Sequence, residues 1–292
     1  MRWIEQGVRF IFGSFALVSV GTTIGVISTL IFETFSFFQE VPLWRFLTDT
    51  QWTPLFVNPT YGIVVLMSAT VMIAAIALLV AIPLGLLSAI CLSEYAPPQV
   101  RRWLKPILEI LAGVPTVVYG YFALLFVTPL LQKIVPGLQS FNALSAGIVV
   151  GIAIMPLVAS LIEDAIYAVP QSLRQGAYAL GATKELVLPQ AFSGILTGSI
   201  LAMSRAIGET ASLITIGALT FIAFLPPLFF EGLRTPFTAL PIQTFNWVSR
   251  PQQGFHTNAA AAIIVLMVVL LSMSTTAIYL RDRFRRNQSP LT

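Results

Sequence analysis

The sequence predicts an all-α integral membrane fold of about six helices, and three observations carry that expectation. Apolar residues make up 57% of the chain and charged residues only 10%, with a mean hydropathy of +0.86. A water-facing surface needs roughly a quarter of its residues charged, so most of this chain is built to face lipid. The apolar residues also fall into runs near the roughly 20 residues that span a bilayer. Finally, Lys and Arg crowd the connections on one side of those runs.

The expected spans lie at 8–32, 62–92, 106–131, 141–168, 190–224 and 257–280. The first follows Met1–Glu5 without a small-residue cleavage site, which is the pattern of an uncleaved span rather than a signal peptide. Arg2, Arg9, Arg101, Arg102, Lys105, Arg174, Lys184, Arg281, Arg283, Arg285 and Arg286 fall on one side, against Arg45, Lys133, Arg234 and Arg250 on the other. An excess of Lys and Arg marks the cytoplasmic side, so a multi-pass protein of the plasma membrane with both termini cytoplasmic is expected. The basic run Arg281–Arg286 directly follows a span and reads as a topology anchor rather than a nucleic-acid patch.

Two units follow: 1–61, a first transmembrane helix with an outward-side segment, and 62–292, a core with five spans. The outward segment 33–61 carries Trp44, Phe46, Trp52 and Phe56 among Pro42, Pro54 and Pro59, which suits a compact stretch at the membrane surface with an aromatic belt. Residues 225–256 hold Pro226, Pro227, Pro236, Pro241 and Pro251, too many for a long helix. Cys91 stands alone in an apolar run and allows no intrachain disulfide. The single histidine, His256, ends a loop with no cluster of ligands around it, so no metal is implied.

Inside the spans, Pro83, Gly85, Gly113, Pro115 and Pro156 interrupt helical sequence. Neighbouring helices can satisfy the freed carbonyls, or the breaks can shape a path that rocks between open states. Gly194 and Gly198 form a Gly-x-x-x-Gly pattern, which lets helix backbones approach closely. The most informative residues are Arg205 and Glu209. A charge near the bilayer centre costs about 3 kcal/mol on insertion scales, so both need shelter from lipid. Four residues apart, they share a face of a continuous helix. They form either an internal neutral staple or the lining of a water-accessible path, where a guanidinium presents a planar fork to an oxyanion. Glu109 is a third acid in the span sequence, with helix packing or the path as its role. Thr210 and Thr116 offer hydroxyls to an anion or to a neighbouring helix.

Between the fourth and fifth spans, Val169-Pro-Gln-Ser-Leu-Arg-Gln-Gly-Ala-Tyr-Ala-Leu-Gly is followed by Leu188-Pro189 at the start of the next span. This stretch resembles the loop of bacterial ABC-importer permeases in which Glu-Ala-Ala, three residues and Gly form a short helix that docks into an ATPase subunit. Ala177, Ala179, Gly181, Leu188 and Pro189 match it. Small residues let such a helix seat in a groove, and Gly181 permits the turn beyond it. Gln175-Gly176 stands where the family has Glu-Ala. Pro189 also follows Gly181 about five residues sooner than in the family, a loss of roughly 7 Å of helix.

The resemblance extends over most of the chain, through Leu92-Ser-Glu-Tyr-Ala-Pro, Leu111-Ala-Gly-Val-Pro-Thr-Val-Val-Tyr-Gly and Arg205-Ala-Ile-Gly-Glu-Thr-Ala. Together these look like the phosphate-specific (Pst) permeases, with a type I importer permease fold. The stretch Pro236-Phe-Thr-Ala-Leu-Pro and the final Ala277-Ile-Tyr-Leu-Arg are similar to the A-type permease, whereas the third-span motif is closer to the C-type. The A-type is the expectation. The resemblance implies phosphate import with a second homologous permease, two ATPase subunits and a periplasmic or lipoprotein phosphate-binding protein. It implies that Arg205 and Glu209 are translocation residues, and that this chain is no enzyme and carries no cofactor, since ATP would be bound by the partners.

The chain has no phosphate-binding Gly-x-x-x-x-Gly-Lys-Ser/Thr sequence, and Gly181-Ala-Thr-Lys lacks the glycine spacing. Within the importer class, sulfate and molybdate are the competing substrates, because an arginine reads charge and fork geometry better than element. A secondary carrier would carry paired broken helices in two related halves. An intramembrane hydrolase would need a nucleophile–base or metal constellation, and the sequence offers none.

Overall fold

The computed structural model describes residues 2–54, 56–179, 181, 187–218, 222, 224–227 and 230–287. In chain order its helices are α1 (Arg2–Glu40), α2 (Leu43–Thr48), α3 (Ile63–Ile90), α4 (Pro98–Ala112), α5 (Thr116–Phe122), α6 (Thr128–Ile134) and α7 (Ala143–Tyr167). They continue with α8 (Gln171–Ala179), α9 (Val187–Gly208), α10 (Ala211–Thr215), α11 (Phe230–Arg234), α12 (Leu240–Val248) and α13 (Gln253–Asn287). π-helical turns at Cys91–Tyr95 and Ala123–Val127 extend α3 and join α5 to α6. Six helical stretches among the described residues are long and apolar enough to cross a membrane.

The pair α3 and α7 forms the centre. Along α7, Ile154, Val158, Ile162 and Ile166 are fully buried, and along α3 so are Ala77, Ala81 and Ala89. Without a hydrophobic force between lipid-embedded helices, close backbone approach supplies the attraction. The seam shows that approach: a Cβ on Gly151 would lie 2.6 Å from the Ala77 carbonyl oxygen, and one on Gly85 would lie 2.8 Å from Val158 Cγ1. The α9 helix packs on α7 in the same way. Gly194 faces Ala165, and Gly198 faces Leu161, so the Gly-x-x-x-Gly pattern serves packing as its spacing predicts. By contrast α1 is a peripheral helix that runs along α13, with Phe10, Phe12, Phe15 and Leu17 exposed around its circumference.

Three expected boundaries change. The first helix continues to Glu40 rather than ending near 32, because the aromatic run Phe35–Phe38 prolongs its apolar sequence. The third span begins at Thr116, not 106. Residues 98–112 form the separate helix α4, with Arg101, Arg102, Lys105 and Glu109 at helical spacing on one side and Trp103, Ile107 and Ile110 exposed on the other. That is the pattern of a helix lying in the membrane interface; its apolar half resembles a span when faces are not separated. The fifth helix stops at Gly208 within the expected 190–224.

At the end opposite α4 and α8, the described residues of 41–62 and 222–252 make a shared cap. Phe46 and Trp52 do not form a belt but turn inward and are 0% and 1% exposed. Trp52 stacks on Trp247 at 4.8 Å and meets Tyr61 edge-on, while Phe37 meets Phe46 edge-on. The prolines keep α11 and α12 short, as expected for 225–256. The Leu240 amide donates to Thr70 Oγ1 at 2.8 Å, tying α12 to α3. His256 Nε2 lies 2.7 Å from the Arg250 carbonyl oxygen, a loop contact.

Candidate translocation site

Two helix breaks adjoin spans, one just before the span that starts at Thr116 and one just after the span that ends at Gly208. The first break, Gly113-Val114-Pro115, separates α4 from α5. Pro115 has no amide hydrogen and sits extended at φ −55°, ψ 129°, so the helix cannot pass through it. The Tyr119 hydroxyl bridges the gap by donating to the Leu111 carbonyl at 3.0 Å. The second break, Glu209-Thr210, separates α9 from α10. Thr210 leaves the helical region at φ −126°, ψ −46°, and Gly217 ends α10 in the left-handed region at φ +88°.

The short helices that follow the two breaks meet, with α5 packed on α10. Gly120 is buried, and a Cβ there would fall on the Thr215 hydroxyl and the Ser212 carbonyl. Thr215 Oγ1 lies within donating distance of Val117 O (3.3 Å), Ala211 O (3.1 Å) and Ser212 O (2.9 Å). Irregular backbone at membrane depth is tolerated where it lies within protein or lines a cavity.

Arg205 and Glu209 do not pair. Glu209 lies one residue past the end of α9, is 7% exposed, and accepts the Ser212 amide hydrogen at Oε1 (3.2 Å). A carboxylate here satisfies a free amide and complements the positive end of α10. The single helix face expected for the two charges is therefore broken at Gly208. Arg205, one turn earlier, is exposed and makes no ion pair among the described residues. Thr210 is partly buried and donates to the Gly208 carbonyl at 3.3 Å; Thr116 is partly buried at the first turn of α5. Glu109 is placed elsewhere. It lies on α4, ahead of the third span, exposed in a shallow cleft with Arg101, Arg102 and Lys105.

One residue at the break escaped the sequence reading. Ser212 is 1% exposed, and its hydroxyl has no partner among the described residues. An orphaned buried hydroxyl calls for an explanation, and only the fold shows that it is orphaned.

The residues expected to form a docking loop lie around α8 and the start of α9. Ala177 and Ala179 belong to α8, and Gly181 adopts the left-handed φ of +77° with no neighbour to a Cβ within 4 Å among the described residues. Leu188 and Pro189 open α9, where a first-turn proline costs little. The shortened connection falls on residues 182–186, outside the described residues. Around α8 runs an ionic layer. Arg174 Nη1 meets Glu94 Oε1 at 2.6 Å, and its Nη2 donates to the Ile166 carbonyl at 2.5 Å. Glu163, 2% exposed, receives Arg101 at 2.6 Å and Lys105 at 3.2 Å. Sequence showed these cations only as a charge bias, since partners 62 and 80 residues apart carry no local signal.

The sequence profile of the binding-protein-dependent transport system inner membrane component family matches residues 81–285. The chain belongs to this family. Among its relatives, the probable ABC transporter permease protein YqgH of Bacillus subtilis is 35% identical over 170 residues, covering 56% of this chain and 55% of that protein. The phosphate transport system permease protein PstC of Pasteurella multocida is 30% identical over 306 residues, covering 94% and 90%. Relatives named for the C-type and for the A-type both occur. The inward-facing MetNI methionine ABC transporter aligns with a TM-score of 0.52 at 15% identity, over 74% of this permease and 91% of that chain. The permease thus has an all-α importer-permease fold, with its two helix breaks inside the matched region and α1 outside it.

Proposed function

We propose that this permease imports inorganic phosphate as half of a two-permease path, driven by ATP that separate ATPase subunits bind and hydrolyse. The observation that carries the reading is Arg205. It is a guanidinium inside an apolar span that makes no ion pair among the described residues, one turn before a break where the nearby carboxylate is engaged by backbone. Its planar set of donors suits a tetrahedral oxyanion. Thr210, Ser212 and Thr116 stand near the same breaks with hydroxyls that can complete the anion's coordination. Glu209 keeps a negative potential beside the cation, which favours release of the anion over trapping it. Relatives named as phosphate transport system permeases support the choice of anion. Glu109, on the basic face of α4, is assigned to the inner mouth of the path.

In this reading α8, with Ala177, Ala179 and Gly181, and the Leu188-Pro189 start of α9 dock on an ATPase subunit. An external binding protein delivers phosphate to the opposite, aromatic-clustered end. A second, homologous permease faces Arg205 across the path. The ionic layer around α4 and α8 then lies on the cytoplasmic side, together with both termini, as the Lys and Arg distribution requires. The breaks at 113–115 and 209–210 are where the path changes access.

The test is uptake of radiolabelled phosphate by cells or proteoliposomes holding the complete complex, with unlabelled sulfate, molybdate or phosphate as competitor. Arg205→Ala is expected to lower uptake by at least roughly 100-fold, as loss of two charge-assisted hydrogen bonds implies, with Arg205→Lys retaining part of it. Undiminished uptake in Arg205→Ala would remove Arg205 from the path, and stronger competition by molybdate than by phosphate would overturn the substrate.

A further inference from the structure

The guanidinium of Arg174 joins three elements at one point. It belongs to α8, it pairs with Glu94 on the π-helical turn that ends α3, and it donates to carbonyls at and just beyond the end of α7. Its Nη1 lies 2.6 Å from Glu94 Oε1, its Nη2 lies 2.5 Å from Ile166 O, and its Nε lies 3.4 Å from Val169 O. The pair is desolvated: the side chains of Arg174 and Glu94 are 11% and 4% exposed. Separating a buried, hydrogen-bonded pair leaves an uncompensated charge, so α8 cannot shift without drawing the end of α3 with it.

The turn that receives this pull is built to yield. A π-helical turn holds one residue more than the α-helix around it and recurs at functional sites. Only Ala96 and Pro97 separate it from α4. That helix is in turn fastened to α7 through Arg101–Glu163 and Lys105–Glu163, and it ends on the Gly113–Pro115 break. A short covalent and ionic chain therefore runs from α8 to the first break of the path.

We infer that Arg174 and Glu94 are positioning residues that convert displacement of α8 into displacement of the α3 end and α4, and so couple the ATPase to the path. This rests on the reading of α8 as the ATPase-docking helix. The chain's only cysteine, Cys91, is exposed on the same π-helical turn and serves as a native reporter.

The experiment uses the complete complex with cysteine-free partner subunits and an environment-sensitive fluorophore on Cys91. Trapping the ATPase with ATP and vanadate is expected to shift the label's emission in the unsubstituted complex. Arg174→Gln should abolish that shift while the ATPase subunits still co-purify, and Arg174→Lys, which keeps a cation for Glu94, should retain most of it. Radiolabelled phosphate delivered per ATP hydrolysed should fall roughly tenfold in Arg174→Gln, within the range of coupling between distant sites, and stay near the native ratio in Arg174→Lys. A label that does not respond in the unsubstituted complex, or responds equally in Arg174→Gln, overturns the linkage. The label decides the linkage whatever the anion, whereas phosphate uptake by the unsubstituted complex decides the transport reading, so the two fail separately.

Discussion

At the scale of single residues, the second break separates charge from architecture. Glu209 accepts the Ser212 amide hydrogen, and removing the acceptor leaves a buried donor unsatisfied at a cost of about 1–3 kcal/mol. Glu209→Gln keeps an oxygen in the same place. It is expected to leave thermal unfolding in detergent nearly unchanged while altering phosphate uptake; Glu209→Ala should lower both, and equal uptake by the Glu209→Gln variant and the native protein would show that the carboxylate serves structure alone. Ser212 gives the opposite signature. Its orphaned hydroxyl costs stability, so Ser212→Ala should raise the unfolding temperature yet raise the phosphate concentration needed for half-maximal uptake. Unchanged concentration dependence would exclude the hydroxyl from the path. Arg205 and Glu209 stood out in the sequence because lipid penalises charge. Their failure to pair could not be read there, since a spacing of four residues puts two charges together only on an unbroken helix and α9 ends at Gly208, between them.

At the scale of elements, packing follows the small residues. The α3–α7 seam leaves no room at Gly151, so Gly151→Leu must push the backbones apart. Overpacking costs typically about 1–3 kcal/mol, and a lower unfolding temperature with intact membrane insertion is expected; a neutral result would mean that the two helices are not held by close approach. Gly181 supplies a conformational rather than a packing constraint. A side chain at φ +77° costs roughly 1–2 kcal/mol, so Gly181→Ala should weaken ATPase co-purification without affecting insertion. Most spans were legible from length and hydropathy. Among the changed boundaries, that of 106–131 arose because a hydropathy window sums the apolar residues of α4 without asking which face they occupy. The Leu-Ala-Gly-Val-Pro-Thr sequence held the correct boundary, in its proline.

At the scale of the whole molecule, the cap and the ionic layer give the two ends different characters. One end is closed by aromatic stacking that joins segments distant in sequence, with Trp52 on Trp247. The other is held by ion pairs between α4, α7, α8 and the end of α3. Aromatic pairs add about 0.5–1.5 kcal/mol beyond area burial and do not respond to salt, whereas partly exposed ion pairs are screened. Raising ionic strength should therefore increase protease cutting near α4, where the Arg101 and Lys105 side chains are 29% and 35% exposed, before it affects residues 41–62, and cutting that begins in the cap would reverse that assignment of rigidity. Charge counting in the sequence foresaw the asymmetry as a topology signal, but which cation meets which acid is a product of the fold.

The contact at Gly120 has a kinetic consequence. Because α5 and α10 touch backbone to side chain at Gly120, in the proposed path a rotation at either break would be transmitted to the other within the same step. Inner and outer access would then not relax as two independent gates. They would share one time constant, and a larger residue at position 120 would divide that single relaxation into two.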